Sequence, residues 1–586
     1  MRGLLIAQFC GAFNDNAWKF MVALLGIRAA TATLAPGQDL ETASQTQTTL
    51  AMVVFTLPLV LTSFVAGFCA DRISKRSVIL TMKAVEVLLM AAATLALLAN
   101  PTGGHWALIV LACMGVHSAI FSPAKYGILP ELLRHEQLAR GNSVLELFTF
   151  LAILTGTTAG GFLLAGAGTQ PWLAPFALTL LALGGFAAAW AVPPVPPARA
   201  VGGLFDTLRG AFSALQADRL LRLAITGAVF FWTIASLVVQ NVLVYAKAVL
   251  NLSDALATVP SALISVGIGM GALVVGRLSR SRVEYGLVPM GAAGVATFLL
   301  ILGWWTPPFG GTLALMIALG MSSALIFIPI NALVQWRAPH DRRGSVIALE
   351  NICVFTGILL GSLSGGVLAN AGLSTVGIFL ATALATTIGT AWAMWLMPET
   401  FLRLVLVLLT NTIYRLRIVG QQHVPVTGGA LLIPNHISFV DGFLLIASLD
   451  RPIRFIVDAQ YVNHRLFKPF MKALQVIPIS SDGGPRVILR ALREAGHALD
   501  AGDLVCIFPE GQITRTGNLL PFRRGFERIV KGRTVPVVPV HLDRVWGSIF
   551  SFVGGRFVTK RPERIPYPVT VSFGAPVPAE TPAHEL

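Results

Sequence analysis

The sequence predicts a polytopic α-helical membrane protein of about 12 spans followed by a C-terminal α/β domain. Three observations carry this. Of the 586 residues, 55% are hydrophobic and 12% charged, with a mean hydropathy of +0.74, whereas soluble chains carry about 25% charged residues. Apolar runs long enough to cross a bilayer follow one another to about residue 397. Beyond about 420 the text changes to charges, prolines and short strand-like runs, which marks a domain boundary.

The spans fall near 3–30, 47–70, 77–99, 105–129, 144–168, 171–192, 222–250, 256–278, 286–305, 310–335, 344–369 and 373–397. Loops after even-numbered spans are basic: Asp71 to Arg76, Arg134 to Arg140, Arg199 to Arg222, Arg277 to Arg282 and Arg337 to Arg343. Opposite loops, such as 100–105 and 370–374, contain no Lys or Arg. That asymmetry predicts both termini on the cytoplasmic side. It also explains the net charge of +15 without nucleic acid, for which no basic and aromatic groove is visible. Cys10, Cys69, Cys113, Cys353 and Cys506 lie in apolar contexts without paired spacing, so neither disulfides nor a metal site is expected. The N-terminus reads as the first span rather than a cleaved signal.

Six spans occupy 1–197, a Pro-rich and basic stretch at 193–219 runs into a cytoplasmic linker at 198–219, and six more spans occupy 220–400. GFCADRISKR at 67–76 has a weaker echo in ALVVGRLSRS at 272–281. This duplicated layout, with its G-x-x-x-D-R-x-S-K-R loop, resembles the major facilitator superfamily, in which two six-helix halves rock about a midplane site.

Ionisable groups in lipid are costly and mark function or structural pairing. The first span carries Asn14, Asp15, Asn16 and Lys19, the fourth Lys125, the fifth Glu146 and the eleventh Glu350 and Asn351. The seventh has Gln240 and Asn241. Pairing between helices accounts equally well for Lys19, Lys125 and Glu350. Asp15, between two amides, is the candidate for a cationic headgroup or a coupling ion, and Asp71 and Arg72 are candidates for gating. GAFNDNAWKF at 11–20, FSPAKYGILPELL at 121–133 and GNSVLELFTFLAILTGTTAGG at 141–161 resemble the lysophospholipid transporters of bacterial inner membranes. The resemblance implies that lysophospholipid, such as lyso-phosphatidylethanolamine, is flipped to the inner leaflet.

FLRLVLVLLTNTIYRLRI at 401–418 is apolar but punctuated by Arg403, Arg415 and Arg417, and predicts an interfacial helical segment over 401–420. ALLIPNHISFVDGFLLIASL at 430–449 reads as a strand, a turn at Asn435 and His436, and a helix from near Ser438. His436 and Asp441 stand five apart across that turn, the pattern of a carboxylate-supported general base. DLVCIFPEGQITRTGNLLPFRRG at 503–525 runs a buried strand into a Gly, Thr and Arg-rich turn suited to phosphate. VPVVPVHL at 535–542 is a further buried strand.

These blocks, N-H-x-S-x-x-D and F-P-E-G in order, resemble the glycerolipid acyltransferases, placing that domain at 421–586. The nearest variety is the acyltransferase portion of 2-acylglycerophosphoethanolamine acyltransferases. The resemblance implies that His436 deprotonates a lysolipid hydroxyl, Asp441 orients the imidazole, and the alkoxide attacks an acyl thioester directly. Asn435 and Ser438 shape the turn, Glu510 and Gly511 form the acceptor pocket, and Thr514 and Arg515 meet phosphate. Gln512 stands where a basic or small hydroxyl residue is usual, which shifts phosphate binding to Arg515, Arg523 or Arg524. FKPFMKALQVIPIS at 467–480 lacks the usual Gly and Arg around Gln475 and Ser480.

The combined expectation is import of lysophospholipid coupled to its reacylation, with no tightly bound cofactor and an acyl-carrier-protein or coenzyme A thioester as donor. Three-domain relatives carry an acyl-activating synthetase, so here the donor is expected from a separate enzyme. Two rivals stand beside this reading. One is a lysophosphatidate acyltransferase fused to a transporter of unrelated substrate. The other is a transporter with an inactive appendage.

Overall fold

The computed structural model describes residues 2–33, 39–70, 73–132, 138–194, 204–279, 286–339, 343–396, 398–425, 428–449, 451–465, 468–480, 483–555, 564–583 and 585. The chain divides into two compact units, Met1–Trp392 and Ala393–Leu586.

The first unit is built on twelve long helices among the described residues. They are α1 (Arg2–Ala32), α2 (Leu40–Ala70), α3 (Lys75–Ala99), α4 (Gly104–Gly127), α5 (Leu138–Gly166) and α6 (Leu173–Ala189) in one half. The other half holds α7 (Arg219–Ala248), α8 (Val259–Ser279), α9 (Leu287–Trp305), α10 (Phe309–Arg337), α11 (Arg343–Asn370) and α12 (Thr375–Leu396). Ten of the described helices are long and apolar enough to cross a membrane. Of the others, α6 is apolar but only 17 residues long, and α1 carries the polar stretch from Asn14 to Lys19. With no aqueous drive between helices in lipid, close backbone approach does the packing. Gly267 of α8 and Gly320 of α10 show it: a Cβ on either would stand 2.1 Å from a carbonyl oxygen of the facing helix.

The expected linker is in part structured. Leu204–Ala217 is a helix, and its Ala211 and Ala214 join the core of the second half. The Pro-rich beginning of that segment, 195–203, lies outside the described residues.

Contacts between the halves collect at one end of the bundle. Arg28 of α1 pairs with Asp254, just before α8, and Lys247 of α7 reaches the same carboxylate at 2.6 Å. Glu41 of α2 accepts the Thr375 N–H at 2.6 Å and its hydroxyl at 2.8 Å, so one half caps the first turn of α12 in the other. Nearer the middle, Phe150 of α5 meets Phe327 of α10 edge-on, with Phe231 and Trp232 of α7 packed around it.

The second unit opens with α13 (Pro398–Ile413) and then β1 (Tyr414–Val419). This corrects the expectation of interfacial helix through 420: YRLRIV alternates inward and outward positions, as a strand does. Six more strands follow: β2 (Ala430–Pro434), β3 (Ile453–Asp458), β4 (Ile477–Ile479), β5 (Leu504–Cys506), β6 (Val537–Asp543) and β7 (Tyr567–Phe573). Their order is β1-β7-β6-β2-β5-β3-β4. Strands β6, β2, β5, β3 and β4 run parallel, and β7 is antiparallel to β6.

Every residue of β2 is buried, as a central parallel strand covered on both faces requires. Leu432 packs on α14 (Asp441–Ser448) through Leu444 and Leu445. Leu431 and Ile433 face α15 (Gly484–Asp500) through Ala491, Leu492 and Ala495. The carboxyl ends of β2 and β5 therefore open side by side on one edge, where α/β sheets place ligands.

Candidate functional site

The turn between β2 and α14 is built around one carboxylate oxygen. Asp441 is fully buried, and its Oδ2 accepts from the Ile437 N–H at 2.7 Å and the Ser438 N–H at 2.9 Å. The same oxygen meets His436 Nδ1 at 2.9 Å. The imidazole lies flat on Phe508, ring centroids 4.0 Å apart. With Nδ1 engaged and one face covered, Nε2 is the ring nitrogen left for a substrate proton. Burial pushes the Asp441 carboxyl above the ordinary range, against the His436 and backbone donors that favour its charge.

Around this dyad the other candidates spend their polar atoms on the fold. The Asn435 amide donates to the Leu542 carbonyl at 3.2 Å and accepts the Leu542 N–H at 2.7 Å, tying the turn to β6. The Ser438 hydroxyl donates to the Phe550 carbonyl at 2.8 Å. Glu510, also buried, accepts the His436 N–H at 2.6 Å through Oε1 and the Leu520 N–H at 2.9 Å through Oε2. Thr514 donates its N–H to the His436 carbonyl at 3.0 Å, and its hydroxyl accepts from Gly517 at 3.1 Å.

Glu510 and Thr514 thus brace the turn that carries His436, and both also line a cleft on the β6 side. Gly511 takes φ +69°, and a Cβ there would stand 2.9 Å from Arg523 Nε, so glycine lets the loop close under that guanidinium. Arg515, Arg523 and Arg524 are exposed, free to meet a phosphate.

Two features of the site escape a sequence reading. An aromatic wall stands beside the dyad: Phe439 contacts Tyr461 and Phe552, and the Arg515 guanidinium lies 5.7 Å over the Phe552 ring. On the β6 side, a cleft of about 230 Å³ is lined by Asn435, Glu510, Asn518, Asp543 and Arg544, among others.

In the membrane unit, Asp15 accepts from the Ser118 hydroxyl of α4. Asn14 is buried and donates to Glu86 at 2.7 Å. Asn16 donates to the Ala12 carbonyl at 2.8 Å and accepts from Lys19 at 3.1 Å. Glu86 also meets Lys83 at 2.6 Å, and neither side chain is exposed at all. This pair is not among the residues expected to act in transport, although Lys and Glu three apart inside an apolar run are a legible signal for one.

Lys125 lies 4.9 Å over the Tyr126 ring. Glu350 is buried and its neighbour Asn351 exposed. Gln240 and Asn241 donate to the Ser362 and Thr375 carbonyls at 3.0 and 2.9 Å, a structural use. The Glu146 side chain, Asp71 and Arg72 lie outside the described residues.

Residues 4–362 match the family model described as Major Facilitator Superfamily, and residues 415–543 match that described as Acyltransferase. A protein of Photorhabdus laumondii named Lysophospholipid transporter LplT is 30% identical over 408 residues, covering 67% of this chain and 94% of its own. The protein of that name from Klebsiella pneumoniae (strain 342) is 29% identical, with 67% and 95% covered. Among solved structures, the nucleoside transporter NupG matches with a TM-score of 0.51 at 14% identity, over 67% of this chain and 99% of its own. That last likeness concerns the fold.

Proposed function

Because the chain belongs to the Major Facilitator Superfamily and joins its membrane unit to an acyltransferase domain, we propose that it recovers lysophospholipid. The membrane unit moves the lysolipid to the inner leaflet of a bacterial inner membrane, and the second unit restores its missing chain on the cytoplasmic face. The names of the relatives support the cargo, and the basic loops support the orientation. Fusion raises the concentration of acceptor at the enzyme, a physical reason to join the two.

The observation that carries the enzymatic half is the 2.9 Å contact between His436 Nδ1 and Asp441 Oδ2 at the sheet's open edge. In the reaction, Nε2 takes the proton of the free glycerol hydroxyl as its oxygen attacks the thioester carbonyl. The carbonyl re-forms, the carbon–sulfur bond breaks, and the thiolate leaves with a proton from His436. Asp441 stabilises the imidazolium between these steps. The donor is the thioester of an acyl carrier protein or of coenzyme A.

The test is acyl transfer by the purified full chain from each thioester to supplied lysolipid. Wild type transfers and His436→Ala falls by about 10²–10⁴-fold. Equal activity in the two proteins, or none in either, defeats the reading.

A further inference from the structure

We propose that the cleft on the β6 side of the dyad seats the acceptor's headgroup, and that Asp543 and Arg544 select an ammonium-bearing phosphodiester over a purely anionic phosphate. This rests on the acyltransferase reading and names the substrate class of that site.

Position comes first. Pro434 of β2 pairs with Val540 of β6, and the Asn435 side chain grips Leu542 on both its N–H and its carbonyl. Asp543 and Arg544 therefore leave β6 on the edge where His436 leaves β2. The offset is about one strand spacing sideways, ~4.8 Å, and about two residues' rise along the strand, ~7 Å. The cleft's other wall is Glu510 and Thr514, the residues that brace the His436 backbone. A lysolipid whose hydroxyl sits at Nε2 has its phosphate and headgroup within reach of this space.

Chemistry comes second. The pair is loose, Arg544 Nε to Asp543 Oδ2 at 3.7 Å, and more than half of each side chain is exposed. An exposed pair of that length contributes little to stability, so the fold gives no reason for both charges. Arg544 also holds φ +63°, a left-handed conformation that favours glycine. A non-glycine residue there carries backbone strain, which points to a use for its side chain.

The guanidinium suits the phosphate. The carboxylate beside it repels a second negative charge and attracts an ammonium. Opposite charges side by side thus complement a zwitterion and work against a phosphomonoester. The exposed Arg515, Arg523 and Arg524 on the other loop supply positive charge alone and would leave these acceptors ranked the other way.

The experiment compares kcat/KM of the full chain in mixed micelles for lyso-phosphatidylethanolamine, lyso-phosphatidylglycerol and lysophosphatidate, with one fixed acyl thioester. Wild type is expected to prefer the ethanolamine lipid. Asp543→Asn lowers that value about tenfold, mainly through KM, and raises the value for lysophosphatidate. Arg544→Gly, which suits the left-handed backbone, lowers all three. A wild type that prefers either anionic acceptor, or an Asp543→Asn variant that leaves the ranking unaltered, overturns the headgroup assignment while His436-dependent transfer keeps the acyltransferase reading intact. No transfer to any acceptor overturns both.

Discussion

Glu510 holds the backbone of His436: its Oε1 accepts the histidine N–H at 2.6 Å while Oε2 accepts that of Leu520. The F-P-E-G block is thereby a brace for the base as well as a wall of the cleft. Glutamine offers one acceptor oxygen instead of two, so Glu510→Gln leaves one buried N–H without a partner, at a cost of about 1–3 kcal/mol. If that cost falls on the catalytic geometry, kcat drops about 10- to 100-fold with the thioester KM little changed. Steady-state kinetics at saturating lysolipid checks this.

Asp441→Asn separates catalysis from stability. The carboxyl's raised pKa has burial as its leading cause, so the native state holds that proton more tightly than the unfolded chain. The group therefore favours folding below the unfolded value near 4, and that contribution is lost as pH rises through the native value. Asparagine does not ionise. The difference in Tm, variant minus wild type, should grow from pH 4 to pH 8 while acyl transfer is lost. Thermal unfolding of the full chain across that range is the check.

Lys83 and Glu86 form a buried pair in α3, joined to α1 through Asn14. Removing one partner strands a charge, at a cost of about 3–5 kcal/mol, whereas replacing both with apolar residues of similar volume costs far less. Glu86→Ala is expected to lower the Tm of the detergent-solubilised protein sharply. The double variant Lys83→Met, Glu86→Met should recover most of that loss.

Asp15 touches Ser118 across two helices of the first half and lies more than 400 positions from His436 in the chain. Asp15→Asn is expected to abolish uptake of labelled lysolipid by spheroplasts. Acylation of lysolipid supplied to the purified protein should persist. Normal uptake would remove this carboxylate from transport.

The contact between His436 and Asp441 was legible because its geometry is local: five residues, one turn, and a strand and helix whose patterns announce it. Glu510 was legible as a site residue but not as a brace, because its partners lie 74 and 10 positions away. Strand β1 was not legible, because Arg415 and Arg417 between apolar residues fit an interfacial helix as well as an alternating strand. The aromatic wall joins Phe439 to Phe552 across more than 100 positions of chain, a proximity no local pattern encodes. Lys83 and Glu86 form a pair legible from their spacing alone, whereas the bond from Asn14 to Glu86 spans 72 positions and is not.

Two of the three donors on Asp441 Oδ2 belong to the main chain. Cutting His436 back to alanine therefore leaves the carboxylate anchored, with the Phe508 ring still flooring the space above it. The truncated enzyme is a socket shaped for a five-membered ring, and free imidazole added to the buffer should fill it and return part of the lost turnover.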